Sequence, residues 1–354
     1  FAASIIHDAG VSTWREKKPL GEFEVDNPWE HCYRGCKLIS QVNLLKPAAD
    51  VILSHHDFFS GPNPSGRTGK EIPLVSRLIH LADRLDVLLN YERCILDQWD
   101  DALKRIRKLA GRVFDPDLVK VLEGLAHKES FWFDLISPFM VKKLYELLAT
   151  VPLKIGKQEI RELANLFAAV IDAKSTFTYH HSRRVAAVAV FLAKEMGLDE
   201  EELALMEVAG LLHDLGKLSV PDEILEKPAP LTAGEYNKIK LHVYYTYRIL
   251  EEAGNLGPVP AWAGYHHEKL NGQGYPFHLS KGQLSLPARI MAVSDIFSAL
   301  REDRPYRRGL ERGKIEVIMT RQKDDGSLDP KVVEACLENY TKLEKLLLSF
   351  SSSS

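Results

Sequence analysis

No apolar run in this sequence approaches the roughly 20 residues that a helix needs to span a bilayer. Cysteine is scarce: Cys32, Cys36, Cys94 and Cys336 are the 4 in 354 residues. Cys32 and Cys36 fall one helical turn apart with no partnering CxxC pair, which argues against a structural zinc site. Nothing supports disulfides either, so a reducing cytoplasm fits best. No long alternating apolar and polar segment argues for a sheet. An excess of positive charge is also missing. The formal net charge of -3 sets aside a general nucleic-acid coat or duplex binder, whose phosphate contacts need a basic surface. A small anionic ligand needs only a local basic pocket and stays open. No signal peptide is visible, and the chain begins at Phe1 without methionine, which leaves an upstream sensor or membrane segment open. The closing serines, 351 to 354, are a low-complexity tail.

Histidine and acid placed beside short apolar helices are what the sequence does have. In the C-terminal half these are His181, His213-Asp214, His242, His266-His267 and Asp295. His213-Asp214-Leu215-Gly216-Lys217 ends an apolar helix running from Val208 to Leu212. His181 opens a helical stretch that stays apolar through Leu192, His242 sits inside Tyr236 to Leu250, and Asp295 follows the apolar run Ile290 to Val293. Imidazole and carboxylate suit first-row divalent metals. Several helices that each turn one or two such ligands inward are how a bundle builds a dinuclear site. A lone histidine is more often a core or surface residue, but seven metal-type groups recurring beside apolar helices favour one shared site.

Chemistry-bearing residues cluster around these ligands. His266-His267-Glu268 leads into Asn271-Gly272-Gln273-Gly274-Tyr275-Pro276, a turn whose glycines permit unusual backbone angles and whose proline stiffens the exit. Tyr275 either shapes a substrate lip or simply packs. Lys217, one turn past His213, faces the same cavity if the turn is helical and is then placed to meet a phosphate; the plainer reading is a charge favoured at a helix end. Arg304 and Arg307 offer guanidinium forks for a second phosphate, or pair with Glu302 or Asp303. The prolines Pro221, Pro228 and Pro230 predict a loop over residues 219 to 231 that borders the pocket.

This constellation resembles the HD-GYP family, a branch of the HD metal-dependent phosphohydrolases. The matching text is His181-Ser182-Arg183-Arg184-Val185-Ala186, His213-Asp214-Leu215-Gly216-Lys217, His242, His266-His267-Glu268 with Asn271-Gly272-Gln273-Gly274-Tyr275-Pro276, Asp295, and Asp303-Arg304-Pro305-Tyr306-Arg307. It covers roughly residues 150 to 345, and several separate motifs occur in the family's order. The resemblance implies an all-α fold and a metal-dependent phosphodiesterase that hydrolyses cyclic di-GMP to the linear dinucleotide or GMP. It implies Asp214 bridging two ions, with His181, His213 and Asp295 on one and His242, His266 and His267 on the other. Asp214 and Lys217 are then the catalytic pair, and Lys217, Arg304, Arg307 and Tyr275 the substrate contacts. The cofactors are two divalent transition metals, iron or manganese first, with zinc or nickel acceptable in a purified sample. Three-metal relatives carry a glutamate one turn before the histidine matching His181, and here that position is Phe177, which favours two ions. The Gly-Tyr-Pro turn is linked in the family to protein partners, and a homodimer stays open. Cyclic GMP-AMP as substrate, or a catalytically silent cyclic-dinucleotide sensor, are the alternatives.

The sequence also repeats itself. His7-Asp8-Ala9-Gly10 parallels His213-Asp214-Leu215-Gly216, His31-Cys32-Tyr33 parallels His242-Val243-Tyr244, and His55-His56-Asp57 parallels His266-His267-Glu268. Two further echoes follow: the stretch Arg77 to Asp83 with the stretch Arg289 to Asp295, and Asp115-Pro116 with Asp329-Pro330. From the second histidine onward the offset is roughly 211 to 214 residues. Val11 replaces Lys217 and the Tyr-Pro turn is lost, so the first copy keeps metal-type residues (His7, Asp8, His31, His55, His56 and Asp83) without substrate groups. The expectation is two HD-type helical bundles in tandem. Residues 1–135 form a degenerate, N-terminally incomplete regulatory or dimer-forming copy, 150–345 the catalytic domain, and 346–354 a tail.

Overall fold

The computed structural model describes residues 1–11, 13–23, 27–148, 155–174, 180–302 and 308–350. Among them the regular structure is helical, with two isolated bridges, Ala110 to Phe114 and Asn271 to Ser280, and no strand. No helix among these residues is long and apolar enough to cross a membrane. Backbone contacts divide the chain into two compact units, Phe1–Glu159 and Ile160–Ser354. Phe177, Arg304 and Arg307, and with them the rest of the Arg-Pro-Tyr-Arg motif, lie outside the described residues.

In the second unit the core is built on the helices His181–Glu195, Glu200–Leu212 and Leu286–Arg301, whose apolar residues Val185, Leu192, Met206, Ile290 and Phe297 are buried together. Two close approaches set this geometry. A Cβ on Gly210 would stand 2.5 Å from Ala186 Cα, so glycine is what lets Glu200–Leu212 lie against His181–Glu195. A Cβ on Gly216 would stand 1.9 Å from His242 O, so glycine lets the Asp214 turn touch the helix Ala233–Ala253. The helix starts are written locally: Asp199 with Glu202 and Thr232 with Glu235 form capping boxes. Asp329 caps the helix Pro330–Glu338. The final helix Tyr340–Ser349 buries Leu347, so helix continues into the segment expected as tail. Residues 219 to 231 are not wholly loop, because Asp222–Leu225 forms one short helical turn.

The first unit has its own core, with Leu81, Leu103, Ile106, Phe114, Leu122 and Trp132 buried together. Its helices include Trp99–Lys108, Pro116–Ala126 and Met140–Leu148. Asp115 caps Pro116–Ala126 by accepting from Asp117 N, as Asp329 accepts from Lys331 N. Each cap aspartate also holds an arginine: Arg77 donates to Asp115, and Arg289 to Asp329 at 3.1 Å. Those arginines donate their Nε to Ile72 O at 2.9 Å and Leu284 O at 2.8 Å respectively.

Candidate metal centre

The seven expected ligands of the second unit come from five places in its fold. His181 is the first residue of its helix, and His213 and Asp214 follow the end of Glu200–Leu212. His242 lies mid-helix, His266 and His267 follow the short helix Val259–Gly264, and Asp295 lies inside Leu286–Arg301. The structure brings them together in three groups: His181, His213 and Asp295; His242, His266 and His267; and His213, Asp214 and His266. Asp214 is central. Its Oδ2 lies 3.2 Å from His213 Nε2 and 3.7 Å from His181 Nε2, and its Oδ1 lies 3.4 Å from His242 Nε2. Asp295 Oδ1 stands 3.4 Å from His181 Nε2 and 3.8 Å from His213 Nε2.

The backbone fixes the tautomers. His213, His242 and His266 each donate Nδ1–H to the carbonyl three residues earlier, Gly210, Ile239 and Ala263, at 2.8, 2.6 and 2.6 Å. A carbonyl only accepts, so Nδ1 carries the proton and Nε2 turns a lone pair inward. The Nε2 atoms of these three residues are buried and make no hydrogen bond. Burial also holds His242, His266 and His267 down at about 3, so they are neutral and ready to coordinate. Orphaned lone pairs facing two carboxylates fit a divalent cation site, since unpaired buried polar atoms are otherwise costly.

The carboxylates are charged despite their surroundings. Burial opposes ionisation of Asp214, but Lys217 and His213 hold its carboxyl well below the usual range. Burial likewise opposes ionisation of Asp295, and His181 and His213 overcome it. His181 goes the other way. Burial disfavours its charged form, yet Glu302 and Asp295 push it up to about 10. Glu302 is buried and accepts from His181 Nδ1 at 2.8 Å, the carboxylate–histidine pairing that orients a metal-type imidazole. It was expected only as a surface partner for an arginine, and its position 121 residues from His181 hid the contact.

Lys217 does face the site, where it forms an ion pair with Asp214. A cavity of about 290 Å³ opens over the ligands, lined by His181, Asp214, Lys217, His242, His267 and Asp295. Ile171, Ile224, Leu225, Leu231 and Ile239 supply apolar walls, so residues 219 to 231 border the pocket as expected. Lys174 and Lys227, unforeseen from sequence, also line it. Tyr275 stacks on His267 with ring centroids 4.9 Å apart, under the ammonium of Lys240, 5.6 Å from the same ring. Glu268 holds the turn by accepting from Phe277 N at 2.7 Å and Leu279 N at 2.9 Å. A Cβ at Gly274 would meet Glu268 Cα at 2.4 Å.

The first unit also gathers its expected groups. Asp8, His31, His55 and His56 lie together. His7 is beside them, its Nε2 3.6 Å from Asp8 Oδ2. Asp83 reaches the same group, its Oδ1 4.0 Å from His7 Nε2 and its Oδ2 3.8 Å from His56 Nε2, while Arg84 donates Nε and Nη2 to that Oδ2 at 3.0 and 2.7 Å.

Comparison with known proteins agrees with this geometry. The model of the HD domain family matches residues 1–118 and 165–332. The chain belongs to the HD domain family, as a phosphodiesterase. It is 36% identical to 3'3'-cGAMP-specific phosphodiesterase 1 of Vibrio cholerae, over 99% of this chain and 83% of that protein. A crystal structure of a cyclic GMP-AMP-specific phosphodiesterase of V. cholerae superposes with a TM-score of 0.61 at 29% identity, covering 88% of this chain and 72% of that one. A cyclic di-GMP phosphodiesterase response regulator of Xanthomonas campestris is 36% identical over 55% of this chain and 52% of its own length.

Proposed function

We propose that this chain hydrolyses cyclic dinucleotides with bound divalent metals, and that 3'3'-cGAMP is its preferred substrate. The buried ligand cluster around Asp214 carries the chemistry. The substrate rests on similarity running the full length of the chain to an enzyme named for 3'3'-cGAMP, whereas the cyclic di-GMP relative aligns with about half of it. That reverses the order expected from the motifs, in which cyclic di-GMP came first. The silent-sensor alternative loses ground to a site with every ligand and Lys217 in place.

The grouping of donors supports two ions, one on His181, His213 and Asp295 and one on His242, His266 and His267, with Asp214 between them. Iron and manganese suit this nitrogen and oxygen set. Such ions lower the pKa of water and draw off negative charge from a phosphoryl oxygen. The chain's own residues do the rest. Glu302 holds the His181 ring, and Tyr275 braces His267. Lys217, Lys174 and Lys227, paired here with Asp214, Asp222 and Glu235, offer ammonium donors that a phosphate would share, and the aliphatic side chains give a base an apolar surface. Attack at phosphorus breaks one P–O ester bond, and water supplies the hydroxyl to phosphate and the proton to the leaving ribose oxygen, giving the linear dinucleotide.

The first unit is read as a second, substrate-incompetent HD copy. Matching arginine–aspartate caps and the HD model's two matched ranges support the tandem reading. Its role is regulation or self-association, and the Gly-Tyr-Pro turn remains the surface for a protein partner. Product analysis tests the substrate assignment: after anaerobic loading with iron(II) or manganese, an equimolar mixture of 3'3'-cGAMP and cyclic di-GMP is followed to linear products. The expected result is earlier consumption of 3'3'-cGAMP; preferential consumption of cyclic di-GMP overturns it.

A further inference from the structure

In the first unit a carboxylate and a thiol approach the same pair of imidazole nitrogens, with His56 in the same group. His31 Nε2 and His55 Nε2 lie 3.2 Å apart. Asp8 Oδ1 stands 3.4 Å from the first and 3.8 Å from the second. Cys32 Sγ stands 3.7 Å and 3.9 Å from the same two nitrogens. His55 donates Nδ1–H to Ile52 O at 2.6 Å, which leaves its Nε2 lone pair turned inward. Three of the four residues are buried, with His55 at 0%, Cys32 at 1% and His31 at 5% exposure.

These five separations lie near the edges of a metal tetrahedron. With metal–nitrogen bonds of about 2.0–2.1 Å and a metal–sulfur bond of about 2.3 Å, neighbouring nitrogens sit about 3.3 Å apart and nitrogen and sulfur about 3.5 Å apart. A simple histidine–histidine hydrogen bond accounts for the 3.2 Å contact but not for a thiol and a carboxylate at the same pair of atoms. Charge agrees as well. A carboxylate and a thiolate balance a divalent cation, so the buried set is neutral once loaded.

We propose that the first unit holds a single zinc ion on Asp8, His31, Cys32 and His55, a site chemically distinct from the second unit's. Thiolate is a soft ligand and selects zinc over manganese. The second unit has Val243 after His242, where the first has Cys32 after His31. A second ion between His7 and His56 would compete with an arginine for Asp83, which lies 4.0 and 3.8 Å from their Nε2 atoms. Asp83 is bound by Arg84, whose Nη1 and Nη2 are themselves tied to Glu22 O at 2.6 Å and Leu20 O at 2.8 Å. The second unit has Ile296 in the arginine's place, so Asp295 stays available to its cluster. Four protein ligands leave no open position, so the ion is structural: it ties the segment after Ala2–Ile6 to the helix Trp29–Ile39 and to the turn after Lys46–Leu53. Uptake forms the zinc–sulfur bond and releases the thiol proton to solvent.

The inference is independent of the cyclic dinucleotide reading, and its readout is spectroscopic. X-ray absorption at the zinc edge of the zinc-loaded full chain should show a sulfur shell at about 2.3 Å. Cobalt(II) in its place should give a thiolate-to-metal charge-transfer band in the near ultraviolet. Cys32→Ser should abolish both signals and weaken zinc retention in this unit by about 10- to 100-fold or more. Cys36→Ser and Cys336→Ser should leave both intact. A wild-type spectrum without a sulfur shell overturns the proposal even if the Cys32 variant fails to fold, and so does a shell that survives Cys32→Ser.

Discussion

Glu302 is the buried group whose removal is expected to disturb metal binding without touching a ligand. It accepts from His181 Nδ1 at 2.8 Å, and both side chains are almost wholly enclosed, at 5% and 2% exposure. Glu302→Ala leaves His181 without its acceptor and its orientation. Deleting such a supporting carboxylate typically weakens a metal site by about 10- to 100-fold, or about 1.4–2.7 kcal/mol at 1.36 kcal/mol per decade. The stranded Nδ1–H adds a stability cost of about 1–3 kcal/mol in the metal-free protein. Glu302→Gln keeps an oxygen acceptor but loses the charge, so it should fall between wild type and Glu302→Ala. Chelator competition gives the affinity, melting curves the stability, and turnover at limiting and saturating metal separates binding from chemistry. Turnover of the alanine variant should collapse at limiting metal and largely return at saturation. A variant that holds metal and turns over at limiting metal as wild type does would refute the reasoning.

Lys217→Ala should retain the metals and slow turnover by on the order of 100-fold, as for loss of one charge-stabilising donor in other sites; elemental analysis beside steady-state rates checks it. Gly216→Ala places a Cβ 1.9 Å from His242 O, so it should destabilise the second unit by about 1–3 kcal/mol or more and lower its melting temperature. Burial pushes the Cys336 thiol up to about 12, so it stays protonated through pH 9, while Cys94 is exposed. Iodoacetamide at pH 8 should therefore label Cys94 promptly and Cys336 only after denaturation, followed by peptide mass mapping. Because the folded pKa of Cys336 is raised above its ordinary value of 9.0, its linked stability is intact below that pH and is lost as pH rises toward 12.

The second unit's clustered donors were legible because each sits at a helix end or on an apolar face that short-range pattern reveals. The apolar run from Val208 to Leu212 places His213 and Asp214 at a terminus, and glycine at 216 permits the close turn that brings Lys217 round to the same cavity. The echo of Asp115-Pro116 with Asp329-Pro330 was equally visible, and its cause is local: in each copy the aspartate caps a helix that the proline begins. What escaped is what depends on contact across the chain. Glu302 meets His181 from 121 residues away, and Lys174 and Lys227 reach the cavity from positions that carry no motif. Cys32 was discounted because its spacing to Cys36 carried no zinc signal. Its neighbours are His31 on its own helix and His55 from another element, not a second thiol. Asp83 matched Asp295 in sequence, but the arginine beside it changes what its carboxylate can do.

The central claim is that hydrolysis occurs at the cluster around Asp214. Wild-type chain and Asp214→Ala, prepared and metal-loaded side by side, should be compared for bound metal and for turnover of 3'3'-cGAMP in the same samples. Removing the carboxylate that lies within 3.7 Å of three imidazoles should cost two ions per chain and all measurable turnover, with the first unit's single ion retained. An Asp214→Ala chain that still opened 3'3'-cGAMP at the wild-type rate would contradict the account.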